Sequence, residues 1–369
     1  MPLSLAVIGG GQLARMMQQA AIGLGVHIRL LAETSDAPAA QVIPDHFVGD
    51  YTSIDDLRRA AEGAGVVTFD HEHVPPEHLE TLEAEGHVPR PGPSALIHAQ
   101  DKITMRTKLS DLGVPSPGWA VTKTVDEVVA FGLPCVLKTP RGGYDGKGVW
   151  VVRSEADVAE ALAADAVLAE ELVDFRRELS AQVARRPSGE TVTYPVVESR
   201  QENGVCKEVI APAPDLASDL AAQAQQIAVD VAEALNVTGM LAVELFETSD
   251  GRLLVNEFAM RPHNTGHWSI DGAATSQFEN HLRGVLDLPL GPSTPSAPWS
   301  VMYNVLGGAV DDLEGQVATV LAAVPEARLH LYGKTVKPGR KVGHLTVTGD
   351  DLDSVLTRAR RAGSLLQDG

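Results

Sequence analysis

Four glycines fall within the seven residues from Gly142 to Gly148, between two short apolar runs. The runs 135–137 and 149–152 predict two strands, so the glycines form the connection of a hairpin. Glycines allow successive backbone N–H groups to converge on an anion such as a phosphate. The spacing differs from that of a P-loop, because Gly148 follows Lys147 where Ser or Thr would hold magnesium. We therefore predict a hairpin that closes over a nucleotide, with an ordinary hairpin as the alternative.

Composition narrows the classes of partner that this chain can have. Its 369 residues carry a net charge of −19, whereas a nucleic-acid-binding surface would be basic, so we expect no nucleic-acid partner. The sequence shows no apolar run of membrane-spanning length and no signal-peptide pattern, so we expect no membrane partner. Two cysteines provide no disulfide framework, which favours a cytoplasmic location.

The N-terminal residues predict the start of a doubly wound α/β fold. The apolar run 5–8 leads through three glycines into a helical pattern, and a second strand is predicted over 27–32. The helix N-terminus should present free N–H groups to an anion. The turn also satisfies the dinucleotide fingerprint with Gly9, Gly11, Ala14 and Glu33. A nicotinamide-dependent dehydrogenase or a nucleotide-binding module is therefore an alternative function.

Two further segments are expected near the ligand. Residues 94–109 have the pattern of one helix, in which we expect Lys102 to face the cleft. Residues 70–73, Asp-His-Glu-His, follow a predicted strand over 66–69. Polar side chains at the carboxyl end of such a strand fit a ligand crevice better than a metal site.

A second hairpin is predicted in the middle of the chain. The runs 239–246 and 252–258 flank Asp250-Gly251, which is a strong signal for a hairpin turn. If these two residues form the whole loop, Ser249 pairs with Arg252, and the register of both strands follows from that pair.

This register places Glu244 directly opposite Glu257. Two opposed carboxylates repel each other, and a divalent cation such as Mg²⁺ would remove that cost. The alternative is a pair of solvent-exposed glutamates. Strict alternation turns Asn256 to the other face of the strand.

Two polar segments follow this hairpin. Residues 260–268 form a loop rich in hydrogen-bond donors. His263 and His267 have the spacing of a zinc site on a helix, but the neighbouring proline and glycine argue against a helix, so we expect contacts to a polar substrate. Segment 332–344 gathers five basic groups in an acidic chain, which predicts a second anion site, with an exposed basic turn as the alternative.

Five motifs occur along nearly the whole chain: Gly-Gly-Gly-Gln-Leu-x-Arg-Met, Gly-Gly-Tyr-Asp-Gly-Lys-Gly, Asn-Glu-Phe-Ala-x-Arg-Pro-His-Asn-x-Gly-His, Thr-Ser-Gln-Phe-Glu and Gly-Arg-Lys-x-Gly-His. In this order they resemble the ATP-grasp superfamily and, within it, the N5-carboxyaminoimidazole ribonucleotide synthase family. The Tyr-Asp loop combined with the His-Asn-x-Gly-His loop is the part of the resemblance that is specific to this branch.

The resemblance implies an α/β ATP-grasp fold in four parts. We expect an N-terminal Rossmann-like substrate-binding domain over 1–93 and a small lid subdomain over 94–170, which carries the glycine loop. The large ATP-grasp subdomain with the metal site would cover 171–294. A C-terminal part over 295–369 would complete the substrate phosphate site.

The resemblance also implies the reaction. ATP would phosphorylate bicarbonate to carboxyphosphate, which would carboxylate the exocyclic amine of 5-aminoimidazole ribonucleotide (AIR), a step of purine biosynthesis. Bicarbonate is a poor electrophile, and phosphorylation supplies it with a leaving group. The expected cofactor is Mg²⁺, as two ions or with Mn²⁺ in its place, and the expected assembly is a homodimer.

Roles for individual residues follow from the same resemblance. The residues expected at ATP are Lys102, Lys138, Gly143, Tyr144, Asp145, Gly146, Lys147, Gly148, Glu170, Glu171, Leu172, Val173, Glu178, Asn256 and Glu257. The residues expected at AIR are Gln12, Leu13, Tyr144, Asp145, Lys147, His263, Asn264, Lys334, Arg340 and Lys341. The residues expected to act in catalysis are Asp145, Arg261, Asn264 and Lys334, and those expected to bind the metal are Glu244 and Glu257.

Within these sets, Glu170 and the 171–173 backbone would hold adenine, and Glu178 would bind the ribose. Arg261 would steady bicarbonate or carboxyphosphate, and Asp145 would orient the amine of AIR. Because the glycine loop would meet both ATP and AIR, its closure could require both ligands.

The chain departs from the family pattern at four positions: Lys102, Met260, Thr265 and Lys337. The two lysines stand where arginine is common, so a bidentate phosphate contact becomes a point charge. These departures bear on affinity more than on the reaction. Another ATP-grasp carboxylate–amine ligase is the alternative within the superfamily.

Overall fold

Three β-sheets organise the residues that the computed structural model describes, which are 3–143, 147–202 and 204–369. The first sheet is parallel and contains β1 (Ser4–Ile8), β2 (His27–Ala32), β3 (His46–Val48) and β4 (Val66–Phe69). Its spatial order is β3-β2-β1-β4. The helices of this region are α1 (Gln12–Leu24), α2 (Ile54–Ala61) and α3 (Pro76–Ala84). The predicted doubly wound start is confirmed, and apolar β1 is buried as central parallel strands are.

The predicted single helix over 94–109 is wrong, because the chain breaks at Asp101. The two helices are α4 (Pro93–Gln100) and α5 (Lys102–Asp111). Asp101 has an extended backbone, and its carboxylate accepts a hydrogen bond from the Thr104 N–H, which makes it the N-cap of α5. The break frees the Lys102 N–H, which donates to the Pro140 carbonyl at 2.9 Å.

The second sheet is antiparallel and carries the glycine-rich hairpin. It contains β5 (Trp119–Val121), β6 (Cys135–Lys138), β7 (Val149–Val152) and β8 (Leu168–Glu171), in the spatial order β5-β8-β6-β7. Helices α6 (Val125–Phe131) and α7 (Glu155–Ala163) accompany it. Lys138 pairs with Val149, so the predicted hairpin is confirmed. Its residues 144–146 lie outside the described residues.

The third sheet carries the carboxylate hairpin. Its strands are β9 (Phe175–Arg185), β10 (Thr191–Thr193), β11 (Val197–Glu202), β12 (Val205–Ala211), β13 (Gly239–Thr248), β14 (Leu253–Ala259), β15 (Trp299–Leu306), β16 (Arg328–Leu331) and β17 (Lys341–Gly349). Their order is β14-β13-β9-β11-β12-β15-β17-β16, with β10 paired to β9. The remaining helices are α8 (Ser218–Ala234), α9 (Ser269–Gly272), α10 (Gln277–Val285), α11 (Leu313–Ala323) and α12 (Leu352–Gln367), and one 3₁₀ turn spans Asn264–Gly266.

An apolar cluster joins the first sheet, α5 and the third sheet. It includes Phe69 of β4, Met105 of α5 and Val255 of β14. The third sheet also continues past residue 294, because β15 pairs with β12 through Tyr303 and Glu208. Within the described parts of the chain, none of the helices has the length and apolar character needed to cross a membrane.

Candidate active site

A cleft of about 1020 Å³ is lined by residues from all three sheet regions. The predicted site residues that line it are Gln12, Leu13, Lys102, Lys138, Gly143, Glu170, Glu171, Leu172, Val173, Glu178, Glu244, Asn256, Glu257, Arg261, His263, Asn264 and Lys341. The cleft lining does not include four other predicted residues, which are Lys147, Gly148, Lys334 and Arg340. The predicted residues Tyr144, Asp145 and Gly146 lie outside the described part of the chain.

The carboxylate hairpin brings Glu244 and Glu257 directly opposite each other, as the sequence predicts. The predicted register at the turn is nevertheless wrong, because the ladder there pairs Glu247 with Leu253 and is offset by one residue. A β-bulge at Glu244/Leu245 adds one residue to β14 and restores the pairing of the two glutamates. Two opposed carboxylates at the cleft form an oxygen donor set that fits Mg²⁺.

The bulge also changes the position of Asn256. Since Leu245 pairs with Val255 and Glu244 with Glu257, Asn256 is the extra residue. Its side chain lines the cleft, and its Oδ1 accepts a hydrogen bond from Lys138 Nζ at 3.0 Å. The prediction that Asn256 turns away from Glu257 is therefore wrong, because a bulge interrupts strict alternation.

Two cations hold the carboxylate of Glu170. Its carboxylate lies between Lys138 Nζ and Arg106 Nε, each at 2.7 Å, and its side chain is only 3% exposed. Burial raises the pKa of Glu170, but the two cations outweigh burial and the net pKa is lowered. Glu170 is thus an ionised partner of Lys138 and Arg106, and its expected contact with adenine stays a prediction.

Lys102 is the first residue of α5 and, like Lys138, lines the cleft. Burial lowers the pKa of its ammonium group, and the carboxylate of Glu257 partly opposes that shift. Glu178 lies on β9, next to Phe246 of β13. Burial raises the pKa of Glu178. This end of the cleft therefore combines two cations with the oxygens of Glu178 and Asn256.

The polar loop after β14 lies over the carboxylate pair. Arg261 Nε donates to Glu72 Oε2 at 2.7 Å, so Glu72, in the segment that follows β4, fixes the guanidinium. His263 Nε2 lies 3.1 Å from Glu244 Oε1. Burial lowers the pKa of His263 to about 3, so its imidazole is neutral at pH 7. The sequence did not reveal Glu72 as a partner of Arg261, because 189 residues separate the two.

Asn264 follows in this loop and lines the cleft. Its side chain has a buried partner that the sequence did not indicate. Asn304 of β15 is completely buried and hydrogen-bonds the side chain of Asn264. Asn304 lies in an apolar strand, where a lone asparagine gives no sign of its partner.

The predicted phosphate site brings the N-terminal turn and the C-terminal basic segment together. Lys334 Nζ donates to Gln12 Oε1, and Gln12 is the first residue of α1. Lys341 begins β17 and lines the cleft. Arg340 is exposed, and its guanidinium donates to the Thr335 carbonyl at 3.2 Å.

The glycine turn before α1 is occupied by the chain's own carboxylates. Asp70 accepts hydrogen bonds from the N–H groups of Gly11 and Ala14 at 3.0 and 2.7 Å, and Glu33 accepts one from Gly10 at 2.9 Å. The expectation that the helix presents free N–H groups is wrong for these three amides. Because a dinucleotide pyrophosphate needs this turn, the dehydrogenase alternative loses its binding site.

Comparison with known proteins agrees with this architecture. Residues 3–100 match the ribonucleotide synthetase preATP-grasp domain, residues 107–278 the ATP-grasp domain, and residues 300–358 the phosphoribosylaminoimidazole carboxylase C-terminal domain. The chain is 53% identical to the N5-carboxyaminoimidazole ribonucleotide synthase of Mycobacterium tuberculosis, covering 99% of this chain and 88% of that protein. It is 50% identical to the enzyme of the same name from Corynebacterium ammoniagenes, covering 98% and 91%.

Solved structures show the same relationship. The N5-carboxyaminoimidazole ribonucleotide synthetase from Thermus thermophilus has a TM-score of 0.89 at 39% identity, covering 99% of each chain. The Aspergillus clavatus synthase in complex with ADP and 5-aminoimidazole ribonucleotide has a TM-score of 0.90 at 32% identity, covering 99% of this chain and 98% of that one. The chain therefore belongs to the N5-carboxyaminoimidazole ribonucleotide synthase family of ATP-grasp ligases.

Proposed function

We propose that the chain catalyses the ATP-dependent carboxylation of AIR with bicarbonate, releasing ADP and phosphate. The observation that carries this proposal is one cleft in which a lysine pair, an opposed glutamate pair and the Arg261–Asn264 loop meet. Family membership supports the same reaction, as does the Aspergillus clavatus relative, whose structure contains ADP and AIR. The product would enter purine biosynthesis in the cytoplasm.

The reaction takes place in two transfers. An oxygen of bicarbonate attacks the γ-phosphorus of ATP, the bond to the ADP oxygen breaks, and carboxyphosphate forms. The exocyclic amine of AIR then attacks the carboxyl carbon, phosphate leaves, and the amine loses one proton. Neither transfer needs a covalent enzyme nucleophile, so the protein contributes position, charge and exclusion of water.

The nucleotide end of the cleft would hold ATP through Lys102 and Lys138. Both lysines line the cleft, and Asn256 fixes the ammonium group of Lys138 through its Oδ1. Glu178 would accept the ribose hydroxyls. The glycine loop, residues 142–148, would cover the phosphates.

Mg²⁺ would be held by Glu244 and Glu257. We propose that the site takes two ions and that Mn²⁺ can replace Mg²⁺. The opposed carboxylates fit this ion, because they supply two oxygen ligands and leave other positions to water and phosphate. When bound, the ion would supply positive charge against the phosphates of ATP. Glu244 is also held by His263, whose neutral ring has one N–H with which to donate a hydrogen bond.

The carboxylation end would use the loop after β14. Arg261 is fixed by Glu72 and would hold bicarbonate and then carboxyphosphate through the rest of its guanidinium. Asn264 would orient the same group. Asp145, with Tyr144 and Lys147, would orient the amine of AIR.

The ribose phosphate of AIR would lie where the N-terminal turn at Gln12 meets the basic segment around Lys334. Lys334 is directed by Gln12, and Lys341 and Arg340 follow on the same segment. We also propose that the protein assembles as a homodimer. Its four parts would end at residues 93, 170, 294 and 369.

The test is ADP release with Mg-ATP, bicarbonate and AIR, each omitted in turn. The proposal expects ADP release that depends on all three and equals the amount of AIR carboxylated. ADP release that continues unchanged without AIR would contradict coupled synthesis. A requirement for a different amine in place of AIR would assign the chain to another ATP-grasp ligase reaction.

A further inference from the structure

Arg106 is a fully buried arginine that does not itself line the cleft. It lies on α5, and its side chain is 0% exposed. Its Nε donates to Glu170 Oε1 at 2.7 Å. Its other nitrogens donate to the carbonyls of Val255 at 3.0 Å and of Asn256 at 2.7 Å. Burial of an arginine is costly, so a position of this kind calls for a reason.

The two carbonyls belong to the bulge of β14. Because Asn256 is the extra residue there, the regular strand ladder is interrupted at this point. Arg106 binds the carbonyls of both Val255 and Asn256, which are consecutive along the strand. It therefore holds the backbone geometry that turns Asn256 and Glu257 together into the cleft.

The charges of the cluster show a second consequence. Glu170 contacts Arg106 through one carboxylate oxygen and Lys138 through the other. Arg106, Lys138 and Glu170 together carry one net positive charge. Without the arginine, Glu170 and Lys138 would form a neutral pair. That pair would present no net positive charge to an anion.

Stability alone does not explain this triad. Buried ion clusters can often be replaced by apolar side chains of similar volume at no cost, or with a gain, in stability. The cluster also joins α5, the strands β6 and β8 of the second sheet and the bulge of β14 in the third. Its position between the two sheets that face the nucleotide end indicates a role in nucleotide binding.

We propose that Arg106 is a positioning residue for ATP, which compensates the charge of Glu170 so that Lys138 keeps its positive charge for the phosphates. The same guanidinium fixes the bulge that presents Asn256 and Glu257. The inference rests on the proposed function in one respect, namely that Lys138 meets the phosphates of ATP.

The experiment compares Arg106→Gln, Arg106→Lys and the double variant Arg106→Gln/Glu170→Gln with the unchanged protein. Calorimetry measures the Kd for ATP in the presence of Mg²⁺, and the KM values for ATP and AIR are measured separately. We expect Arg106→Gln to raise the Kd and the KM for ATP at least about tenfold, with the KM for AIR unchanged. Arg106→Lys, which keeps the charge, should stay within about threefold. The double variant should recover most of the loss, because it removes both compensating charges together.

Arg177→Gln is the matched control. Arg177 also has two carboxylate partners and one carbonyl partner, and its side chain is 11% exposed, but it lies outside the cleft lining. Its substitution should lower the melting temperature and leave ATP affinity unchanged.

The outcomes separate the inference from the proposed function. Absence of ATP binding by the unchanged protein would overturn the proposed function. Normal ATP binding by Arg106→Gln would overturn only the inference, as would equal losses in Arg106→Lys and Arg106→Gln without rescue in the double variant. If Arg106→Gln does not fold, Arg106→Lys and the double variant test the inference. ATP binding that is at least about tenfold weaker in both of these folded variants would overturn it.

Discussion

Asn264 and Asn304 exchange two hydrogen bonds through their side-chain amides. Asn264 Nδ2 donates to Asn304 Oδ1 at 3.2 Å, and Asn304 Nδ2 donates to Asn264 Oδ1 at 2.8 Å. Asn304 also donates to the carbonyl of Cys206 at 2.9 Å. A completely buried residue on β15 thus sets the orientation of an amide that lines the cleft.

Replacement of Asn304 by leucine should lower kcat at least about tenfold with the KM for ATP unchanged, because Asn264 loses its fixed orientation at the bicarbonate end. The unpaired polar groups should also cost about 1–3 kcal/mol of unfolding free energy. Asn280→Leu is the control, since Asn280 is equally buried but bonds Tyr194 and Gly291 away from the cleft. Equal kcat values for the two variants would contradict the role of Asn304.

Glu257→Gln should abolish turnover, with at least about a hundredfold loss of ADP release, and leave the fold intact. The amide keeps the shape of the side chain but removes one of the two charges that Mg²⁺ needs. Glu202→Gln, at a side chain 61% exposed on β11, should leave ADP release unchanged. Chelation of the metal should have the same effect as Glu257→Gln. Near-normal ADP release by Glu257→Gln would contradict the metal assignment.

Lys334→Met should raise the KM for AIR at least about tenfold while the KM for ATP stays constant, because a charged phosphate contact is lost. The structure supports this separation, since Lys334 contacts Gln12 on the N-terminal side of the cleft. Lys123→Met, at an exposed lysine before α6, should change neither value. Steady-state kinetics with each substrate varied will show whether the two KM values separate.

Gly11→Ala should destabilise the protein by about 1–3 kcal/mol, since a Cβ at this position would lie 2.1 Å from Asp70 Oδ2. Gly23→Ala, within α1, has open space around it and should stabilise the protein by about 0.5–1 kcal/mol. Urea unfolding of both variants measures this difference. A tolerated Gly11→Ala would show that Asp70 does not occupy the turn as described.

Acid should destabilise the protein through His281. Burial lowers its pKa to about 3, and its Nδ1 accepts the Met240 N–H at 3.2 Å, so the ring is neutral when folded. The unfolded chain takes up this proton near pH 6.5, so the unfolding free energy decreases as the pH falls from 6.5 towards 3. This residue should account for about 2 kcal/mol between about pH 6.5 and 4.5.

His281→Gln should remove that share of the pH dependence. Urea unfolding at about pH 6.5 and 4.5 compares the variant with the unchanged protein. Equal losses of unfolding free energy in both proteins would exclude His281 as the source.

Local patterns determined much of this protein. The apolar run 5–8 and the glycines after it predict β1 and α1, and the Asp250-Gly251 turn predicts β13 and β14. These elements follow from neighbours in the chain, so composition and periodicity are sufficient. The opposition of Glu244 and Glu257 was also predicted, although from a turn register that is one residue off and is corrected by a bulge.

The tertiary structure decided what lies between distant segments. Asp70 reaches the amide of Ala14 across 56 residues, Arg106 reaches Glu170 across 64, and Asn264 reaches Asn304 across 40. None of these pairs follows from helix or strand periodicity, because each depends on how sheets pack against each other. The bulge that turns Asn256 into the cleft is equally non-local, since Arg106 binds its carbonyls from another element. The sequence by itself determined most of the elements and the residue types of the site, whereas packing decided the break at Asp101 and which charge neutralises which.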